Sequence, residues 1–310
     1  MRVLITGSSG LIGTNVGLAL QKRGDSVVGI DKRANSWTDR IETVTFDLSA
    51  GRTGELPVSG TFDVVLHLAA YAKVFELVEH PDRALENVQM CFNVLEFCRK
   101  SQTPIIFGSS REVYGDIHRH VTEETAADFV VAESPYSASK ISGEAFIYSY
   151  GKCYALPYLV FRFSNVYGRF DCDLERMERV IPLFMRKIVR GEPIVVFGRE
   201  KVLDFTYIDD CAQGVMKGID ALVSRTVNQQ TINLAYGQGS TLVDLVNLIS
   251  LALRKEPNVR YEPARSGEVT RYVAEIAKAR RLLGYEPTTP LTAGVPKAVR
   301  WQQEIGVLSE

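Results

Sequence analysis

The sequence predicts an α/β fold built on a doubly wound parallel sheet, with a smaller C-terminal lobe. Three observations lead there. Short runs rich in β-branched residues recur at 2–6, 26–31, 43–47, 63–69, 104–109, 157–163 and 193–197, separated by helical or loop segments. Such alternation gives parallel strands joined by crossover helices. The first run ends in Gly7-Ser8-Ser9-Gly10-Leu11-Ile12-Gly13, a glycine-rich strand-to-helix turn. After about Gly168 the character changes to a charge-rich loop from Arg169 to Arg179, a helix around 180–190, a short strand and a helix from Thr241 to Arg254.

Composition agrees. A chain of 310 residues that is 45% apolar with net charge −1 describes a soluble globular protein with ample material for a large core. It carries no polybasic run that would suit nucleic acid, and no stretch approaching ~20 apolar residues that would cross a membrane. The first strand begins at once, without a leader pattern, so a cytoplasmic location is expected. The five cysteines, at 91, 98, 153, 172 and 211, are odd in number and lack Cys-x-x-Cys spacing, which supports neither a disulfide framework nor a metal site. Cys172, near the charged loop, reads as a reduced bystander thiol.

Each element carries its own reason. In the first turn Gly7 permits the tight bend, Gly10 lets the backbone approach a diphosphate, and the free N–H groups of the helix starting near Leu11 supply partial positive charge. Gly7, Gly10, Leu11, Ile12 and Gly13 therefore read as a dinucleotide pyrophosphate site, with G-x-x-G-x-x-G spacing. The strand Ser26-Val27-Val28-Gly29-Ile30 ends at Asp31, placed to accept hydrogen bonds from an adenosine ribose. That favours NAD over NADP, while Lys32 and Arg33 leave a 2′-phosphate as the alternative. Between Arg83 and Arg99, apolar residues at 85, 88, 91, 92, 95 and 98 recur at helical spacing. In Tyr136-Ser137-Ala138-Ser139-Lys140 a phenol and an ammonium lie one turn apart on one helix face, and that helix runs on through Ala145-Phe146-Ile147. The lysine is expected to lower the tyrosine pKa from its ordinary value of roughly 10, so that the phenolate serves as a base near neutral pH. Asp209-Asp210 is expected to cap a helix returning to the large domain.

Leu4-Ile5-Thr6-Gly7, Phe46-Asp47-Leu48, His67-Leu68-Ala69-Ala70, Gly108-Ser109-Ser110 through Val113-Tyr114-Gly115, Ser134-Pro135-Tyr136 through Lys140, Arg162 through Gly168, and Asp204 through Asp210 follow one another in order. In these segments the chain resembles the extended short-chain dehydrogenase/reductase superfamily, and within it the NAD-dependent nucleotide-sugar epimerases and dehydratases related to UDP-glucose 4-epimerase. The resemblance implies a Rossmann-type NAD-binding domain over 1–167, with a segment at about 205–235 returning to it, and a substrate-binding lobe from 168–204 and 236–310. It implies NAD contacts at Asp31, Lys32, Asp47, Leu48, Leu68, Ala69, Ala70, Asn87, Ser109, Phe163, Tyr136 and Lys140. It also implies a nucleotide-sugar substrate contacted by Lys73, Ser110, Arg111, Asn165, Arg199, Arg265 and Glu268. A homodimer built on the 83–99 and Tyr136 helices is implied as well, although a buried helix gives the same pattern.

In the resembling enzymes the tyrosine phenolate removes the proton of the sugar 4-hydroxyl while hydride leaves C4 for NAD. Ser110 matches the serine that shares a hydrogen bond with the reacting oxygen. An epimerase then returns hydride to the other face of the keto sugar. A 4,6-dehydratase needs an Asp-Glu pair before Val-Tyr-Gly; this chain has Arg111-Glu112, and an arginine with pKa above about 12 is a poor proton donor. The expected reaction is 4-epimerisation of a UDP-hexose, with a dehydratase or decarboxylase using Glu112 as the alternative and a non-catalytic NAD-binding protein as the other class. Glu112 is also placed to form a structural salt bridge with Arg111 or Lys140. Leu203 departs from the pattern, because related epimerases carry an arginine there that supports the nucleotide.

Overall fold

The structure, a computed structural model, describes residues 1–50, 53–115, 132–175, 179–264 and 269–308. Its main sheet has seven parallel strands in the order β10-β6-β5-β4-β1-β2-β3. They are β1 (Arg2–Thr6), β2 (Ser26–Asp31), β3 (Glu42–Thr45), β4 (Val64–His67), β5 (Ile105–Ser110), β6 (Tyr158–Phe163) and β10 (Gln230–Leu234). Helices cover both faces, so the central strands are apolar on both sides. In β1 the alternation divides the core: Val3 and Ile5 join the cluster under α1 (Leu11–Arg23) and α6 (Ile208–Val223), whereas Leu4 joins the one under α3 (Asp82–Ser101) and α4 (Pro135–Tyr154).

Local chemistry sets the helix ends. At the start of α4 the Ser134 hydroxyl accepts from the Ser137 N–H at 3.2 Å, and Pro135 occupies the first turn. Thr241 and Asp244 form a capping box at α7 (Leu242–Leu253). The short α2 (Val74–Glu79) lies between β4 and α3.

The strands outside the main sheet form two small ones. β9 (Val202–Tyr207) pairs with β7 (Asn165–Tyr167), β11 (Gly239–Thr241) and β13 (Arg271–Tyr272), and β8 (Ile194–Phe197) pairs with β12 (Val259–Glu262). Helices α5 (Val180–Val189), α7 and α9 (Leu291–Glu304) complete this part, while α8 (Ala277–Leu283) packs against α6 and β10 of the main sheet. Both tryptophans sit where it meets α1: Trp37, Phe170 and Trp301 form a three-ring cluster with centroids 5.3 to 6.1 Å apart. Beside it, the Asn15 amide donates to the Arg169 carbonyl at 3.1 Å.

Two expectations are corrected. The run at 193–197 is a strand but belongs to the outer pair, and the seventh strand of the main sheet is β10. An apolar run announces a buried strand without saying which sheet receives it. Asp209 and Asp210 do not cap α6, whose preceding residue Tyr207 supplies no side-chain cap. They occupy its first turn, where negative charge suits the helix dipole; Asp210 accepts from the Thr288 and Thr289 N–H groups, and Asp209 pairs with Arg169. Among the described residues no helix is long and apolar enough to cross a membrane.

Candidate active site

The site gathers at the carboxyl ends of β1, β2, β4 and β5. Gly7 has φ +75°, and an added Cβ there would lie 2.7 Å from the Ala69 nitrogen, so the loop after β4 presses against the turn. At Gly13 a Cβ would lie 2.2 Å from the Gly7 carbonyl oxygen, so only glycine lets α1 start this close to the turn. Gly10 is the residue before α1, and Leu11 and Ile12 begin the helix. Asp31 is buried, and its two carboxylate oxygens accept from the Ser9 and Arg33 N–H groups at 3.1 and 3.2 Å. An anionic group thus sits against the glycine turn at the end of β2. The close-packed turn and the strand-end carboxylate fit the diphosphate and ribose of NAD.

The other predicted cofactor positions are spread around that cradle. Lys32 donates to the Tyr71 hydroxyl at 2.6 Å, and Asp47 accepts from the Ser49 N–H and hydroxyl, which lowers its pKa. Leu48 is in the core; Leu68, Ala69 and Ala70 are half-buried in the loop after β4. A Cβ on Gly108 would meet the Leu68 and Phe163 side chains, so these two line one close approach. Asn87 accepts from the Tyr71 N–H and donates to the Tyr71 carbonyl, and its amide also reaches the Ser139 hydroxyl. That makes it a clamp between the 71 loop and α4. The Ser109 hydroxyl donates to Glu144 at 2.6 Å.

Ser110 ends β5 and Tyr136 lies in the first turn of α4, which brings the serine hydroxyl near enough to the phenol to act on its pKa. Burial pushes the Tyr136 pKa up to about 12; the Ser110 hydroxyl opposes it, the Glu112 charge adds to it, and Arg111 and Arg179 oppose it. The expected lowering by Lys140 is therefore corrected. The Lys140 ammonium is anchored on the Gly108 carbonyl at 2.7 Å and lies 5.9 Å from the Tyr136 ring centroid, and its own pKa falls to about 8 through burial. Desolvation of the phenol outweighs a cation that is bonded elsewhere.

Glu112 is buried in the short turn Arg111–Tyr114, where it pairs with Arg111 at 2.8 Å. Of the two structural partners open to Glu112, the structure selects Arg111. The Arg111 guanidinium also reaches the Asn165 amide oxygen at 3.4 Å, and the Asn165 amide donates to the Asp204 carbonyl at 3.0 Å. Lys73 lies before α2 and donates to the Glu175 carbonyl at 3.2 Å. Arg199 lies apart, between β8 and β9, with its guanidinium 5.0 Å from the Tyr261 ring centroid. Arg265 and Glu268 fall outside the described residues. A cavity of about 500 Å³ between β11, α7 and α9, lined by Tyr236, Ser240, Asn247 and Leu291 among others, includes none of the predicted site residues.

Sequence reasoning missed two supports. Glu144 binds Arg162 through two hydrogen bonds of 2.9 and 2.7 Å and accepts from Ser109 and Tyr148, joining α4 to β5 and β6 beneath the site. Tyr136, Lys140 and Glu144 recur at every fourth position, a signal that could have found it. Asp204 accepts from the Tyr236, Gly237 and Ala274 N–H groups; burial nevertheless raises its pKa to about 7. No spacing in the sequence marks that pattern, because its partners lie 32 to 70 residues away.

Comparisons with known proteins identify the family. Residues 3–235 match the NAD dependent epimerase/dehydratase family. UDP-glucuronate 4-epimerase 1 of Arabidopsis thaliana is 32% identical over 331 residues, covering 96% of this chain and 76% of that protein. The structure of UDP-glucose 4-epimerase from Thermotoga maritima with UDP-glucose is similar at TM-score 0.88 and 26% identity, over 98% of this chain and 99% of that one. UDP-glucuronic acid 4-epimerase from Bacillus cereus, in complex with UDP-glucuronic acid and NAD, is similar at TM-score 0.88 and 25% identity, over 98% and 100% of the two chains. With the glycine cradle, the Asp31 carboxylate and the Ser110–Tyr136 pair in place, the chain belongs to the NAD-dependent epimerase/dehydratase family of enzymes.

Proposed function

We propose that this enzyme is a UDP-sugar 4-epimerase acting through a transient 4-keto sugar. The observation that carries the reading is the juxtaposition of Ser110, at the end of β5, with buried Tyr136 and, one helical turn along α4, buried Lys140. NAD, when bound, supplies the hydride acceptor and donor. Tyr136 takes the proton of the sugar 4-hydroxyl and later returns it, while Ser110 holds the same oxygen in line. Lys140 contributes a buried cation beside them and a donor for a ribose hydroxyl. The UDP-sugar ligands of the similar structures support a UDP-linked six-carbon sugar as substrate. We assign the main sheet with α6 to cofactor binding, and β8, β9 and the segments after β10 to the substrate. The exposed apolar residues Leu85 and Phe146, together with the ring pair Phe92–Phe146, support a homodimer through α3 and α4.

A dehydratase or decarboxylase is the second reading, favoured by the charge of Glu112 acting on the Tyr136 phenol. Against it stands Arg111, which occupies the position of the proton donor and ties up Glu112. The two are separated by product NMR after incubation with UDP-glucose, UDP-galactose and UDP-glucuronate in deuterated water. Inversion at C4 with C5 unlabelled is expected, and Tyr136→Phe is expected to keep NAD while losing ~10²–10⁴-fold in rate. Deuterium at C5 with loss of water or carbon dioxide would overturn the epimerase reading.

A further inference from the structure

Arg111 directly follows Ser110, and its charge acts on the Tyr136 phenol. Its donors are unevenly used. Nη2 lies 2.8 Å from Glu112 and 3.4 Å from Asn165, and the guanidinium carbon is 5.8 Å from the Tyr272 ring centroid. Nη1 is buried and has no hydrogen-bond partner. Arginine cannot shed its proton to relieve this, so the desolvated donor stands at full cost until an acceptor arrives. Asn165 and Tyr136 are on the same side of the molecule, and the charge of Arg111 is felt at the Tyr136 phenol. The acceptor that fits is therefore an oxygen of the bound sugar nucleotide.

A UDP-sugar offers anionic oxygens at two places: the diphosphate on C1 and, in a uronic acid, the carboxylate at C6. Two considerations choose between them. The reacting oxygen is on C4; C6 hangs from the neighbouring C5, whereas C1 lies across the ring. A group reached by the residue next to Ser110 is thus on the C4–C5 side. Moreover, the ion pair with Glu112 leaves the Arg111 pair with little net charge but with the Nη1 N–H donors unused. A diphosphate calls for net positive charge, whereas a planar carboxylate is matched by the geometry of a guanidinium edge.

We propose that Arg111 determines sugar specificity by donating from Nη1 to a C6 carboxylate, so that the enzyme prefers a UDP-hexuronic acid to the corresponding UDP-hexose. This rests on the UDP-sugar epimerase reading above. The contact also guards the 4-keto uronic acid, a β-keto acid. Its loss of carbon dioxide would break the C5–C6 bond and move the electron pair, with the carboxylate's negative charge, onto the C4 oxygen as an enolate. Hydrogen-bond donors fixed at the carboxylate hold the charge where it starts and so disfavour that path.

The test is calorimetric binding of UDP-glucuronate, UDP-glucose and UDP to NAD-loaded Tyr136→Phe protein, which cannot turn them over, with and without Arg111→Gln or Arg111→Lys. We expect Arg111→Gln to lower the ratio of UDP-glucuronate to UDP-glucose affinity about 10- to 100-fold, and Arg111→Lys to keep part of that preference. An unchanged ratio overturns the proposal. So does an equal weakening of all three ligands, UDP included, which would assign Arg111 to the diphosphate. If the parent protein binds none of the three, the epimerase reading itself falls and takes the proposal with it.

Discussion

At the scale of single residues, the phenol of Tyr136 is the group whose chemistry burial alters most usefully. Withdrawal from water raises its pKa to about 12, and the Ser110 hydroxyl is the leading influence in the other direction. Removing that hydroxyl leaves the neutral phenol relatively more favoured. The sign follows directly: a base with a higher pKa is populated only at higher pH. In Ser110→Ala the ascending limb of the kcat against pH profile is therefore expected to move to higher pH, with a lower rate at neutral pH. A limb that stays in place or moves down would remove Ser110 from the proton path. Lys140 lies within the same small volume but is anchored on the Gly108 carbonyl, so toward the phenol its contribution is charge, not contact.

At the scale of elements, α4 is the part on which the site depends. It presents Tyr136 and Lys140 toward the cleft and, one turn further on, seats Glu144 against Arg162 of β6 and Ser109 of β5. Both partners of that ion pair are buried. Glu144→Gln leaves the Arg162 charge uncompensated in the interior, and removing one member of a buried pair costs about 3–5 kcal/mol. Urea unfolding is expected to show a loss of that order; a change below about 1 kcal/mol would mean that the pair contributes little. The apolar runs, the glycine turn and the Tyr136–Lys140 spacing were legible in the sequence because each is a local pattern: period two, a tight bend, one helical turn. Residues 193–197 were read as a strand but not sorted into their sheet, and 230–234 were not read as a strand, since strand pairing joins segments far apart in the chain. The same holds for Asp204, whose three backbone donors come from the loop after β10 and from Ala274 beyond β13, brought together only in the folded chain, and for the Tyr136 pKa, which depends on how much water the fold excludes.

At the scale of the whole molecule, the main sheet buries its two faces under helices but leaves an apolar stripe on α3 and α4. Leu85 is 74% exposed, and Phe92, two turns along, meets the exposed Phe146 of α4 ring to ring at 5.9 Å. Burial of such side chains against a second copy contributes about 1.5–3 kcal/mol each, counted twice by symmetry. Leu85→Glu combined with Phe146→Glu is expected to shift the protein from dimer to monomer in sedimentation velocity with its NAD content preserved. A wild-type protein that sediments as a monomer at all concentrations would rule out this interface.

The three-ring cluster of Trp37, Phe170 and Trp301 has a practical meaning for experiment. The Trp37 backbone N–H donates to the Asn35 side-chain oxygen, and the Asn35 amide in turn donates to the Ser8 carbonyl in the glycine turn, whereas Trp301 belongs to α9. Since the chain has only these two tryptophans, every indole photon it emits originates at this one seam. The molecule thus carries its own unlabelled optical gauge of how the cofactor-side loop and the last helix sit against each other.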